Sequence, residues 1–266
     1  MSFVKYVFLL MVLFSCQKSE EQKKVLVFGH AGMGLSMDNS IYHDNSKEAV
    51  LLALNLPTSN GVEVDVRLSK DGTLWLYHDE FLEAESTGFG CVSNLSDVEI
   101  DQLNYRTSKK EKLVKLTNVL PLLQSDQQLF IDLKHFNSCQ NERINLADLK
   151  EALEEQLGNN SANVKLICAY EYWLNELAEI VDVLYTTDDI EEGKALLKKY
   201  EQLKGLVMRN ATLNSYDVRD VMLLSREIYL YDIRSLKGIK QAFGKCPTGI
   251  FADDLRQALF ERGYAL

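Results

Sequence analysis

Apolar positions along this chain fall in short blocks whose period switches between that of a strand and that of a helix. Residues 25–30 (VLVFGH) form a short apolar run, the pattern of a buried strand, and 46–55 have helical composition. Over 61–68 (GVEVDVRL) valine alternates with polar residues; Asp71-Gly72 predicts a turn and 73–78 (TLWLYH) the returning strand of a hairpin. Residues 79–115 read as irregular and polar, with one short helix over 96–103. The pattern then predicts a helix over 117–124, a strand over 129–134 and an amphipathic helix over 145–157, with Leu149, Leu153 and Leu157 four apart on one face. Further strands are predicted at 164–169, 183–186, 206–209, 228–233 and 249–252, separated by helices at 171–181, 190–200, 215–224 and 236–243 and closed by one at 254–262. About eight strand–helix units in 266 residues predict an α/β protein, a single (β/α)8 TIM barrel with its chemistry at the carboxyl ends of the strands.

Composition narrows the function. Hydrophobic residues make up 46% and charged residues 26%, the balance of a globular domain. The net charge is −10, from 29 basic and 39 acidic residues, with no basic stripe of the kind that neutralises phosphates, so no nucleic-acid partner is expected.

The first residues read as a targeting segment. Lys5 is followed by an apolar run from Tyr6 to Phe14, too short to span a bilayer as a helix and of the right length for a secretory signal. Leu13-Phe14-Ser15-Cys16 resembles a bacterial lipobox, in which the cysteine is lipidated. The expected organisation is a lipoprotein signal over 1–15, a polar linker over 16–24 beginning at Cys16, and the barrel over 25–266. The expected location is the bacterial cell envelope, tethered to a membrane by the lipid anchor. Cys91, Cys139, Cys168 and Cys246 show no zinc-binding spacing and leave any disulfide pairing open; Cys168 reads as a buried small hydrophobe.

The predicted strands end on polar residues. His30 ends the first, His78-Asp79 the hairpin strand, and Tyr170, Arg209, Asp232 and Asp253 later ones. Glu63 and Asp65 share one face of their strand, as do Asp132 and Lys134 of theirs. Three carboxylates meeting at one mouth repel unless neutralised, and a hard divalent cation does this with oxygen ligands. The alternatives are ion pairs with Lys134 and Arg67, or exposure to water.

His30-Ala31-Gly32, Asp44-Asn45-Ser46, the block from Gly61 through Glu63, Asp65 and Asp71-Gly72 to His78-Asp79, and the strand carrying Asp132 and Lys134 together resemble the glycerophosphodiester phosphodiesterase family. That family's pattern is HRG, ENT, GxxxExDVxxTKDGxxVxxHD and a later E-x-K strand. The resemblance implies a metal-dependent barrel hydrolase that cleaves a small phosphodiester to glycerol 3-phosphate and an alcohol. It implies His30 and His78 as the acid–base pair, with His30 the base and His78 the acid or the reverse. Glu63, Asp65 and Asp132 are implied as ligands of one divalent cation, Mg²⁺ or Ca²⁺, and Lys134 as the phosphate contact. Related phosphodiesterase specificities (phospholipase-like or glycerophosphoinositol-type) and a non-catalytic lipoprotein that binds a phosphorylated ligand are the alternatives.

Departures from the pattern mark where this chain differs. Ala31 stands where the family has an arginine, and Asp44 and Asp132 each replace a glutamate. Arg209 or Arg234, both near strand ends, are candidates to replace the missing cation, with Arg209 the favoured substrate contact. His43 is expected to be a solvated loop residue, and His135 to face outward by alternation. Tyr170, Trp173 and Tyr231 are candidates to wall the pocket but read chiefly as core.

Overall fold

The structure is a computed structural model that describes residues 24–35 and 40–263 together with Gln22 and Met37. The expected signal, Cys16 and most of the linker lie outside the described residues. Eight parallel strands close into a barrel: β1 (Leu26–Gly29), β2 (Gly61–Leu68), β5 (Gln128–Leu133), β8 (Val164–Cys168), β9 (Asp182–Thr186), β10 (Gly205–Arg209), β11 (Glu227–Ile233) and β12 (Gly249–Ala252). Closure comes from β1, which pairs with β12 on one side and meets β2 at Gly29–Val62 on the other. Two short antiparallel strands, β3 (Leu74–Leu76) and β4 (Val114–Lys115), extend the sheet beyond β2, and β6 (Phe136–Asn137) and β7 (Glu142–Arg143) make a hairpin after β5.

Alternation along each strand separates two interiors. On β2, Val62, Val64 and Val66 turn outward to the helices, while Glu63, Asp65 and Arg67 turn into the lumen. The lumen is filled at mid-height by Phe28, Phe130, Tyr229 and Phe251 with Ile167, Leu184 and Val207. Ring centroids of Phe28–Phe130, Phe130–Tyr229 and Phe130–Phe251 lie 4.8–4.9 Å apart, edge to face. Such pairs contribute about 0.5–1.5 kcal/mol each beyond their buried area. The barrel is therefore plugged, and polar lumen residues are confined to its two ends.

Outside the barrel lie α1 (Lys47–Leu54), α2 (Asp97–Ile100), α3 (Leu146–Leu157), α4 (Leu174–Ala178), α5 (Ile190–Lys199), α6 (Ser215–Leu223), α7 (Leu236–Lys245) and α8 (Leu255–Gly263). Helix α3 buries Leu149, Leu153 and Leu157 as their spacing predicts, and Asn145 caps it through the Ala147 N–H. Among the described residues no helix is long and apolar enough to cross a membrane.

Three segments depart from the expected pattern. The helix expected over 117–124 is two 3-10 turns, Leu116–Asn118 and Leu120–Leu122. Pro121 has no N–H to close an α-turn and its ring clashes with the carbonyl four residues back. The helix expected over 171–181 is a 3-10 turn, Glu171–Trp173, followed by the short α4. The stretch 79–115 is not simply polar. Leu82, Val92, Ile100, Tyr105 and Leu113 join Trp75 and Tyr77 in a satellite core beside the barrel. A disulfide between Cys91 and Cys139 ties this insertion to the hairpin after β5. Closing a loop of 48 residues stabilises by about 4 kcal/mol on chain-entropy grounds. Cys168 is buried and free, as its strand pattern implies.

Candidate active site

The carboxylates converge because of strand register. Asp65 of β2 is the direct partner of Asp132 of β5, and Glu63 lies one lumen position below. One oxygen from each of Glu63, Asp65 and Asp132 lies within 4.8 Å of the others. Glu63 and Asp65 are almost fully buried, at 3% and 1% exposure. Burial and the neighbouring Asp65 push the Glu63 carboxyl up to about 8, even though it accepts the Ala31 N–H at 2.9 Å. For Asp65, burial acts the same way but is outweighed by Lys134 and His78, so its carboxyl is held below the ordinary range. Lys134 Nζ sits between two members, 2.8 Å from Asp65 and 2.6 Å from Asp132. Asn45 braces Asp65 twice: its Nδ2 donates to the carboxylate at 2.7 Å and its Oδ1 accepts the Asp65 N–H at 2.9 Å.

Both sequence-identified histidines stand at the same mouth. His30 Nδ1 lies 2.8 Å from Oδ1 of Asp253, a residue 1% exposed at the end of β12. Burial alone lowers the His30 pKa, but the Asp253 hydrogen bond and the charge of Glu63 outweigh it and raise it to about 9. Its Nε2 lies 3.8 Å from Glu63. His78 Nδ1 lies 2.8 Å from Asp79 Oδ1. Each ring is thus held through Nδ1, which leaves Nε2 as the nitrogen for chemistry. The loop after β1 approaches very closely here: Gly34, at φ +130°, lies where a Cβ would collide with the Asp253 carbonyl.

The two histidines, the three carboxylates and Lys134 line one cavity of about 500 Å³ at the carboxyl ends of the strands. Its floor includes Ile167, Val207 and Phe251, and its far wall Arg209, Tyr231, Asp232 and Arg234. The sequence profile of the glycerophosphoryl diester phosphodiesterase family matches residues 31–238. The chain belongs to that family. The glycerophosphodiester phosphodiesterase of Caldanaerobacter subterraneus subsp. tengcongensis is 35% identical over 81 residues, covering 30% of this chain and 31% of that one. The chain spans no more than 31% of the length of the curated relatives it matches. Among solved structures, an Oleispira antarctica phosphodiesterase in complex with the product sn-glycerol-3-phosphate has a TM-score of 0.71 at 16% identity, covering 88% of this chain and 95% of that one. A glycerophosphodiester phosphodiesterase from Parabacteroides distasonis has a TM-score of 0.71 at 19% identity, covering 91% and 98%. At such identities the likeness establishes the barrel fold.

Set against the family pattern, some residues lie where sequence reasoning put them and others do not. His30, His78, Glu63, Asp65, Asp132 and Lys134 all line the cavity. Arg209 also lines it, but its guanidinium is held by Asp188 (3.2 Å from Nε) and by Asp232, while Arg234 Nε lies 3.0 Å from Asp232. His43 is not solvated. Its ring stacks on Tyr105 with centroids 3.8 Å apart and lies beside Asp44 and Glu85, because the 79–115 insertion covers the loop that bears it. His135 does not face outward: it lines the cavity and stacks on Tyr170 at 5.7 Å. The strand ends at Leu133, so alternation no longer directs residue 135. Asp253 and Asn45 were not singled out as site residues. Asp253 ends a strand, and Asn45 lies in the Asp-Asn-Ser stretch, which were the available signals.

Proposed function

We propose that this protein hydrolyses glycerophosphodiesters to glycerol 3-phosphate and an alcohol, with one divalent cation held by Glu63, Asp65 and Asp132. The observation that carries this reading is the meeting, in one cavity, of that buried carboxylate cluster with two histidines each held through Nδ1. The three residues fit a hard cation: all donors are oxygens, they are mutually close, and their like charges are costly to bury together. When bound, the cation would offset negative charge developing on the phosphoryl oxygens.

The chain's own residues supply the rest. Asp253 fixes the His30 ring so that Nε2, in its deprotonated form, takes the proton of the attacking hydroxyl: either water, which gives glycerol 3-phosphate directly, or the glycerol 2-hydroxyl, which gives a cyclic phosphodiester that water then opens. Asp79 fixes His78 so that it delivers a proton to the departing alkoxide. Lys134 spends two of its three N–H donors on Asp65 and Asp132, and offers the third to the phosphate. Arg209, at the rim but paired with Asp188 and Asp232, adds only a weak attraction toward an anionic substrate where Ala31 cannot. The substrate class is supported by the product glycerol 3-phosphate in the Oleispira antarctica relative. Glycerophosphocholine and glycerophosphoethanolamine are the first substrates to try.

The anchor belongs to the same proposal. Lipidation at Cys16 would tether the barrel to an envelope membrane, and the Cys91–Cys139 disulfide suits an oxidising compartment outside the cytosol. Labelled fatty acid should enter the wild-type chain and not Cys16→Ser.

The decisive assay follows glycerol 3-phosphate release from a glycerophosphodiester panel after chelation, then with Mg²⁺ or Ca²⁺ restored. Release should depend on the cation and fall about 10²–10⁴-fold in His30→Ala. A folded, cation-loaded protein that releases nothing from any diester would refute the reading.

A further inference from the structure

We infer that Arg67 is a positioning residue for His78, its guanidinium clamping the backbone that carries this histidine to the hairpin that follows Lys134. The inference rests on the catalytic role proposed for His78. Arg67 is the last lumen-facing position of β2, two residues above Asp65, and is 8% exposed. A buried guanidinium so placed is expected to pair with the acids beside it. Among the described residues it pairs with none. Its Nη2 donates to the His78 carbonyl at 2.8 Å and its Nη1 to the Phe136 carbonyl at 3.2 Å. A planar fork can span two carbonyls in this way; a lysine presents a single point.

The two segments it bridges belong to different strand–loop units, after β3 and after β5. Other bonds continue the same seam outward. Ser138 Oγ donates to Glu80 Oε2 at 2.6 Å, Asn137 Nδ2 donates to Asn94 Oδ1 at 3.2 Å, and Cys91 is bonded to Cys139. Arg67 is the member of the seam that reaches the His78 peptide itself. Asp79 fixes the ring and Arg67 fixes the backbone from which the ring extends. Since an ångström of misplacement is enough to cost about two decades in rate, such a tie is part of the catalytic geometry.

A double-mutant cycle in the full chain tests this. Arg67→Met should lower kcat by about 10–100-fold with KM within about 2-fold. Added to His78→Ala it should cost less than about 2-fold more, because the histidine it positions is gone. Cys91→Ser with Cys139→Ser, at the outer end of the seam, should show the same pattern more weakly. Additive losses would mean that Arg67 acts independently of His78. A raised KM with kcat kept would mean a substrate contact, and a lowered melting temperature with kcat kept a purely structural role; each overturns the inference. Should Arg67→Met fail to fold, Arg67→Lys takes its place in the cycle. If the wild type cleaves no diester, the functional reading fails by itself, and amide hydrogen exchange decides about Arg67. Exchange in 78–80 and 134–138 should quicken together in the variant, and unchanged exchange in both would contradict the clamp.

Discussion

Among the described residues two lysines enter the lumen of this barrel, one toward each end, and they keep different company. Lys165, below the aromatic layer, pairs with Glu227 and lies 3.4 Å from the Tyr229 hydroxyl. One base meets one acid, and the lower end is balanced. Lys134, above the layer, pairs with Asp65 and Asp132 while Glu63 stands within reach of both acids. Three acids share one lysine; His30, 3.8 Å from Glu63, is already paired with Asp253, and Arg67 is turned to backbone carbonyls. A balanced buried pair maintains a fold; an excess of buried carboxylate is costly to keep unless a ligand relieves it. The far wall of the cavity teaches the same lesson, since Arg209 and Arg234 are already matched by Asp188 and Asp232. Function is expected where the charges do not cancel.

The contrast can be broken most severely at Asp65. Asp65→Asn removes a proposed cation ligand and a Lys134 partner together, and should lower turnover at fixed cation by more than about 100-fold. Wild-type rates in that variant would undo the contrast. Lys165→Met should instead leave kcat within about 2-fold while lowering unfolding stability by about 1–2 kcal/mol in urea titrations, since Glu227 keeps some access to water. Arg209→Ala lies between the two cases. Its Asp partners already neutralise it, so turnover should fall by only about 2–10-fold, mainly through KM.

The smallest effect is a pH slope. Burial opposes protonation of His43, but Asp44 and Glu85 raise its pKa from 6.5 to about 9. A group raised in the folded state stabilises fully below 6.5, and that contribution is lost as pH rises through 9. Wild type should therefore lose more urea resistance between these pH values than His43→Gln does. Parallel slopes in the two proteins would show that the His43 cluster is energetically silent.

Much of this arrangement was legible in the chain because period-2 alternation fixes which residues share a lumen face. Glu63 with Asp65, and Asp132 with Lys134, follow from that rule, and register then makes Asp65 and Asp132 neighbours. What stayed hidden depends on contacts between distant segments. The His30–Asp253 bond joins residues 223 apart, and no local pattern announces it. His43 reads as solvated until the insertion places Tyr105 against it, and the Cys91–Cys139 pair cannot be chosen from spacing among four cysteines. The helices misplaced at 117–124 and 171–181 are local errors of another kind. In the first, Pro121 bars an α-turn, and apolar spacing in the second is met as well by a 3-10 turn and a short helix.

The central claim is that charge imbalance at one end of the lumen marks a cation site. Calorimetric titration of a divalent cation into the chelator-treated full chain, beside Asp65→Asn and Lys165→Met, tests it most directly. One ion should bind per chain in wild type and in Lys165→Met, with binding lost or greatly weakened in Asp65→Asn. Equal binding by all three proteins, or none by wild type, would contradict the account.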